Sequence, residues 1–146
     1  MCTGRVMYDH YYEDWQVKIT FNKEYVSLWD GWLGKDNYHK LSEVTEDDWS
    51  RFGKLIKLIA KDYDIERVDT DLRELFPVND IDEILSSFKD SMEKESDEFT
   101  KIVIPKLKCV ITEDWDFTYI IWHKSNGAVE SLASYIKAAK LCQFTD

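Results

Sequence analysis

The sequence predicts an α+β fold: a largely antiparallel sheet, built from an N-terminal meander and a C-terminal hairpin, with about three helices packed on it, in one domain covering residues 1–146. Three observations carry that expectation. Short runs with a period of two, joined by turn-forming residues, occur towards both ends of the chain. Three other stretches place apolar residues at spacings of three and four, the signature of a helix with one buried stripe. The alternating strand–helix rhythm of a parallel sheet is missing, which argues against a Rossmann or flavodoxin-type arrangement.

The first strand is expected over Trp15–Phe21, where Trp15, Val17, Ile19 and Phe21 would face inward and Gln16, Lys18 and Thr20 outward. Asn22-Lys23 offers a turn into a second strand at Tyr25–Trp29. Asp30-Gly31 is a hairpin signal, because glycine accepts the positive φ of a type I′ turn, and Trp32-Leu33 would open a third strand. Gly34–Lys40 reads as loop. Thr45 starts a helix: its hydroxyl can cap the Asp48 amide, and Glu46, Asp47 and Asp48 suit the positive end of the helix. Trp49, Phe52, Ile56, Ile59 and Tyr63 form its apolar stripe, Arg51, Lys54, Lys57 and Lys61 its wet face, and it should end near Asp62.

Beyond it, Leu72, Leu75 and Phe76 suggest one helical turn closed by Pro77. Asn79 would cap a second helix that buries Ile81, Ile84, Leu85, Phe88 and Met92. Ile102–Ile104 is a short β-branched run ending at Pro105. Lys106–Thr112 and Phe117–His123 are expected as paired strands around a turn at residues 113–116. Ser125 or Asn126 would cap a last helix with Val129, Leu132, Ala133, Ile136 and Ala139 inward, and residues 141–144 could return as a short strand.

A chain of 146 residues can bury about two-thirds of its unfolded surface without a staple. Its three cysteines, Cys2, Cys109 and Cys142, fit no zinc or redox spacing and read as free thiols of a reducing, cytoplasmic compartment. No apolar stretch is long enough to span a bilayer and no leader is expected. The formal net charge is −10, and from Asp62 to Glu98 fourteen acids stand against four bases, so this stretch holds the entire surplus. Nucleic-acid binding needs a basic footprint and is excluded on that ground. An acidic face attracts basic proteins instead.

Tests for chemistry fail one by one. Read as a calcium loop, Asp62–Arg73 has Arg67 where a glycine must turn the chain and Arg73 where the bidentate glutamate belongs. His10, His39 and His123 form no zinc-type pair, and His123 reads as a surface or strand-end residue. Cys109 and His123 could meet across paired strands, but Cys109 sits in an apolar run that disfavours a thiolate. Asp114 and Asp116 flank Trp115 in a turn, where aspartate is ordinary. No glycine belongs to a phosphate-binding loop. No cofactor and no metal is expected, and binding is favoured over an enzyme site assembled from scattered residues.

The expected partner contacts are Asp62, Asp64, Glu66, Asp69 and Asp71, followed by Glu46, Asp47 and Asp48. A small, acidic, aromatic-rich chain without a catalytic motif resembles the bacterial immunity proteins of contact-dependent inhibition and polymorphic-toxin systems. The likeness is one of general character and brings no site residues with it. It implies a cytoplasmic protein that covers the active site or substrate surface of a cognate toxin, such as a basic nuclease, with carboxylates standing in for substrate phosphates. The competing expectation is an acidic adaptor or regulatory subunit for another basic protein.

Overall fold

The computed structural model describes residues 8–29, 31, 35–85, 100–114 and 118–145. Its strands are β1 (Tyr12–Glu13), β2 (Gln16–Val17), β3 (Asn22–Ser27), β4 (Glu66–Asp69), β5 (Glu74–Pro77), β6 (Lys101–Ile104), β7 (Cys109–Asp114), β8 (Thr118–His123) and β9 (Cys142–Phe144). Two α-helices lie wholly within the described residues, α1 (Glu46–Asp62) and α2 (Asn126–Ala138), and residues 8–11 are helical as well. Seven strands form one sheet in the order β5-β4-β6-β7-β8-β3-β9, every pairing antiparallel, while β1 and β2 pair separately. The α+β class holds, with helices packed on an antiparallel sheet.

Helix α1 follows from its sequence at both ends. The Asp48 amide donates to Thr45 Oγ1 at 3.1 Å and the Thr45 amide to the Asp48 carboxylate at 3.2 Å, a reciprocal capping box. Tyr63 leaves the helix in an extended conformation, its amide still donating to the Ile59 carbonyl. Trp49, Phe52, Leu55, Ile56 and Ile59 are buried, each contributing about 2 kcal/mol of apolar burial. Phe52 packs 4.6 Å from the Tyr119 ring on β8, centroid to centroid.

Helix α2 buries Ala128, Leu132 and Ile136, with Ala139 at its C-cap. It ends in a Schellman arrangement: Lys140 takes a left-handed φ of 61°, its amide donates to the Lys137 carbonyl, and the Leu141 amide donates to the Ile136 carbonyl. Arg51 of α1 donates to the Lys140 carbonyl at 3.3 Å and links the two helices. The inward stripe runs through Ala128, so it is rotated by one position from the expected start at Val129, which is half-buried.

Both faces of the sheet are covered. Ile102, Ile104, Cys109, Ile111, Tyr119 and Ile121 point to α1 and α2. Leu75, Val103 and Val110 point the other way, against Tyr8, Tyr11, Tyr12, Val17 and Phe21 of the N-terminal segment. Two-sided burial is why β6 and the start of β7 are continuous apolar runs rather than alternating ones. Among the described residues, no helix is long and apolar enough to cross a membrane.

Several expectations are corrected. Residues 15–21 are not one strand. Asp14 takes a left-handed φ of 57° and, with Trp15, turns β1 back onto β2. Val17 and Phe21 are buried as expected, but Trp15 is 67% and Ile19 92% exposed. The next turn, closed by the Phe21 amide on the Lys18 carbonyl, carries Ile19 out to solvent. Asn22-Lys23 is strand rather than turn, paired with His123 and Trp122. Because β3 lies between β8 and β9, the N-terminal meander does not form in the described sheet.

Gly31 has the expected positive φ, 110°, but Asp30 and the strand expected at Trp32-Leu33 lie outside the described residues. A loop is expected over Gly34–Lys40, but Lys35–Glu43 is a 3-10 run. Leu72, Leu75 and Phe76 belong to a β-hairpin rather than a helical turn: the Asp69 carboxylate accepts the Leu72 amide at 2.9 Å and fixes the turn between β4 and β5. Asp80, not Asn79, caps the following segment, and its first turn, Ile81–Glu83, is 3-10. Phe88 and Met92 of the expected second helix lie outside the described residues. Pro105–Leu107 form a 3-10 turn, so β7 starts at Cys109 rather than Lys106.

Candidate functional site

The eight carboxylates expected as partner contacts fall into two groups at opposite ends of α1. Asp48 and Asp62 are separated by fourteen helical steps, about 21 Å along the axis. The first group serves the helix start: Asp48 is engaged by the capping box and by Arg51 at 3.3 Å, and Glu46 and Asp47 flank it, exposed, in the first turn.

The second group forms a corner where α1 runs into the β4–β5 hairpin. Asp62 accepts a 2.6 Å hydrogen bond from the Tyr135 hydroxyl, which pushes that phenol up to about 12. Asp64 follows, exposed, between helix and strand. Glu66 is half-buried on β4; burial first, and the Asp64 charge second, raise its carboxyl above the ordinary value. Asp69 fixes the hairpin turn and lies 3.7 Å from Arg67. Asp71 is exposed in that turn, next to Leu72, a large apolar side chain left 58% exposed.

Both arginines of the hairpin are engaged: Arg67 also lies over the Phe76 ring at 4.4 Å, and Arg73 pairs with Asp14 at 3.5 Å. Asp64, Glu66, Asp71 and Glu74 form no ion pair with any described residue. The corner therefore keeps a net negative field around one exposed leucine.

The groups tested for catalysis are placed as follows. Cys109 is fully buried in the core, and burial pushes its thiol up to about 12. His123 ends β8 as expected, but it is buried rather than at the surface, with Nδ1 3.1 Å from the Ser125 carbonyl oxygen. Asp114 ends β7, and Asp116 lies outside the described residues. Among the described residues, no three His, Cys, Asp or Glu side chains converge in a way that could hold a metal.

A second feature escaped the sequence reading altogether. A cavity of about 450 Å³ opens between the sheet and the N-terminal segment. Tyr12, Trp15, Gln16, Val17, Ile19 and Phe21 line one side, and Lys23, Lys101, Thr112 and Trp122 line the other. Only the register of β3, β8, β7 and β6 brings those four together, pairing Lys23 with Trp122 and Lys101 with Thr112. The one local hint was the unpaired apolar character of Trp15 and Ile19, which the alternating pattern had turned inward. No protein-family model, no curated protein and no solved structure matches this chain.

Proposed function

We propose that this protein is a binding module rather than an enzyme: an immunity-type inhibitor that neutralises a cognate basic toxin by seating the acidic corner, residues 62–74, on it. The observation that carries the reading is the exposed Leu72 at the tip of the β4–β5 hairpin, next to Asp71, in a stretch where Asp64, Glu66, Asp71 and Glu74 have no ionic partner among the described residues. Exposed carboxylates steer a basic partner into encounter, and one apolar anchor that becomes buried supplies the short-range energy. On a basic nuclease, Asp62, Asp64, Glu66, Asp69 and Asp71 would occupy positions that substrate phosphates otherwise take. The free thiols of Cys109 and Cys142 are compatible with the reducing bacterial cytoplasm in which such an inhibitor works.

The test is purification of the tagged full chain from its native host, identification of the bound protein, and measurement of association kinetics. Replacing Asp62, Asp64, Glu66, Asp69 and Asp71 by the corresponding amides should slow association about ten-fold, with little change at high salt. Leu72→Ser should instead speed dissociation. A partner with an acidic contact surface, or an association rate indifferent both to these replacements and to salt, would overturn the reading.

A further inference from the structure

We propose that the cavity between the N-terminal segment and the sheet is a binding site for a small carboxylate carrying an aromatic or branched apolar body. The site is separate from the acidic corner and has the opposite sign. Among the described residues, its only charged lining groups are Lys23 and Lys101, and neither has a carboxylate partner there. In a chain of net charge −10, two uncompensated ammonium groups converging on a mostly apolar hollow are charge complementarity waiting for an anion.

The rest of the lining is already organised. Lys23 Nζ lies 4.8 Å from the Trp122 ring centre, so the indole holds the ammonium by cation–π attraction. Trp122 is itself fixed, its Nε1 donating to Thr112 Oγ1 at 2.9 Å. That bond uses Thr112 as acceptor and leaves its hydroxyl proton available to a ligand oxygen.

Tyr12 supplies an independent observation. Its side chain lines the cavity and is 97% buried, being 3% exposed, yet its hydroxyl has no hydrogen-bond partner among the described residues. That hydroxyl has almost no surface open to water, so a carboxylate in the cavity reaches it only once the Tyr12 side chain shifts towards the hollow. A buried hydroxyl without a partner is costly, which favours that shift, and burial keeps the phenol protonated as a donor. The volume suits a small molecule that enters the cavity, since ligand sites begin at about 300 Å³. Trp15 and Ile19 line the cavity while largely exposed, so they stand at its mouth, where an apolar body would cover them.

The probe is 3-phenylpropionate, titrated into the full chain while the indole N–H signals of Trp15 and Trp122 are followed by NMR. Its neutral isostere, 3-phenylpropanamide, and an acetylated, amidated Asp-Phe-Asp peptide form the other two arms. The acid should bind about ten-fold tighter than the amide. The Lys23→Glu/Lys101→Glu variant should erase that preference and leave the amide's affinity unchanged. Lys23→Glu alone, at an exposed position, gives the same direction should the double variant fold poorly. Tyr12→Phe, which keeps the ring, should weaken the acid about three-fold or more and spare the amide.

Equal affinity for acid and amide would overturn the proposal, as would no binding of the acid at about 5 mM. Binding of the peptide without the free acid would also overturn it, and would make the cavity a docking surface for an acidic protein segment. None of these outcomes bears on the acidic corner, which responds to a different partner and different variants.

Discussion

In the acidic corner, the charged groups come from one continuous stretch, residues 62–74, and stand on a helix end and an edge hairpin. In the N-terminal cavity, the polar lining comes from residues 12, 16, 23, 101, 112 and 122, of which Lys23 and Lys101 are charged, and most of it stands on strands of the main sheet. The corner is local and exposed; the cavity is assembled across the chain, and its lining merges into the buried cluster of Tyr8, Tyr12, Val103 and Val110. The difference teaches where function can be changed without touching the fold. Within the corner, Asp62 and Asp69 hold Tyr135 and the hairpin turn, but the exposed Asp64 and Asp71 make no ion pair among the described residues, whereas the cavity is a gap in the packing of the sheet's second face. The two regions adjoin through the Arg73–Asp14 pair, which ties the turn of one hairpin to the turn of the other.

The largest expected effect separates them by stability. Tyr12→Ala removes a buried ring stacked 5.0 Å from Tyr8, centroid to centroid, and should cost about 3 kcal/mol in urea-induced unfolding. Asp64→Asn and Asp71→Asn, both at exposed positions, should each stay within about 0.5 kcal/mol of the parent. A Tyr12→Ala cost below about 1 kcal/mol would mean that the N-terminal segment is not docked on the sheet, and the contrast would collapse.

That contrast also explains what could be read from sequence. The Thr45 cap on the Asp48 amide, the end of α1 at Asp62 and the return of the chain as β9 were legible because local chemistry favours them. So was Cys109 as a core residue, since an unbroken apolar run has no polar face to offer. Trp15 and Ile19 were misread because Val17 and Phe21, four residues apart, face inward in a continuous strand and equally in two short segments joined by turns. Nothing local distinguishes these until Asp14 adopts its left-handed conformation. The placement of β3 between β8 and β9 was not legible at all, since a strand's own residues specify which face is buried, not which neighbour pairs with it. The charge of the corner, being contiguous, could be counted. The cavity depends on the strand order and could not.

A mid-sized effect tests the cavity as a site that sacrifices stability for binding. Tyr12→Phe deletes a buried hydroxyl that lacks a partner among the described residues and retains the ring. It should therefore raise stability by about 1 kcal/mol, while weakening the carboxylate probe. Loss of stability in this variant would mean that the hydroxyl is satisfied in solution, and the case for an absent acceptor would weaken with it.

The smallest effect concerns the corner and depends on pH. Burial, and then the neighbouring Asp64 charge, raise the Glu66 carboxyl above the ordinary 4.5 that holds in the unfolded chain. Below 4.5 the group is protonated in both states and contributes no penalty. As pH rises through the folded value, the folded state must carry the charge at a cost the unfolded state does not share, so stability falls across that window. Glu66→Gln should therefore raise Tm slightly at neutral pH, by less than about 2 °C because solvent screens a half-exposed group, and not at all near about pH 3.5. Asp64→Asn should recover only the lesser part of that gain, because burial is the larger cause. A basic partner seated on the corner would supply the missing positive charge and lower the Glu66 carboxyl again. Complex formation should then release protons in the window between the ordinary glutamate value and the raised folded one, and calorimetry in two buffers of different ionisation enthalpy would detect it. No change in bound protons on binding would place the partner's contact away from Glu66 and move the interface towards the start of α1, where Glu46 and Asp47 remain exposed.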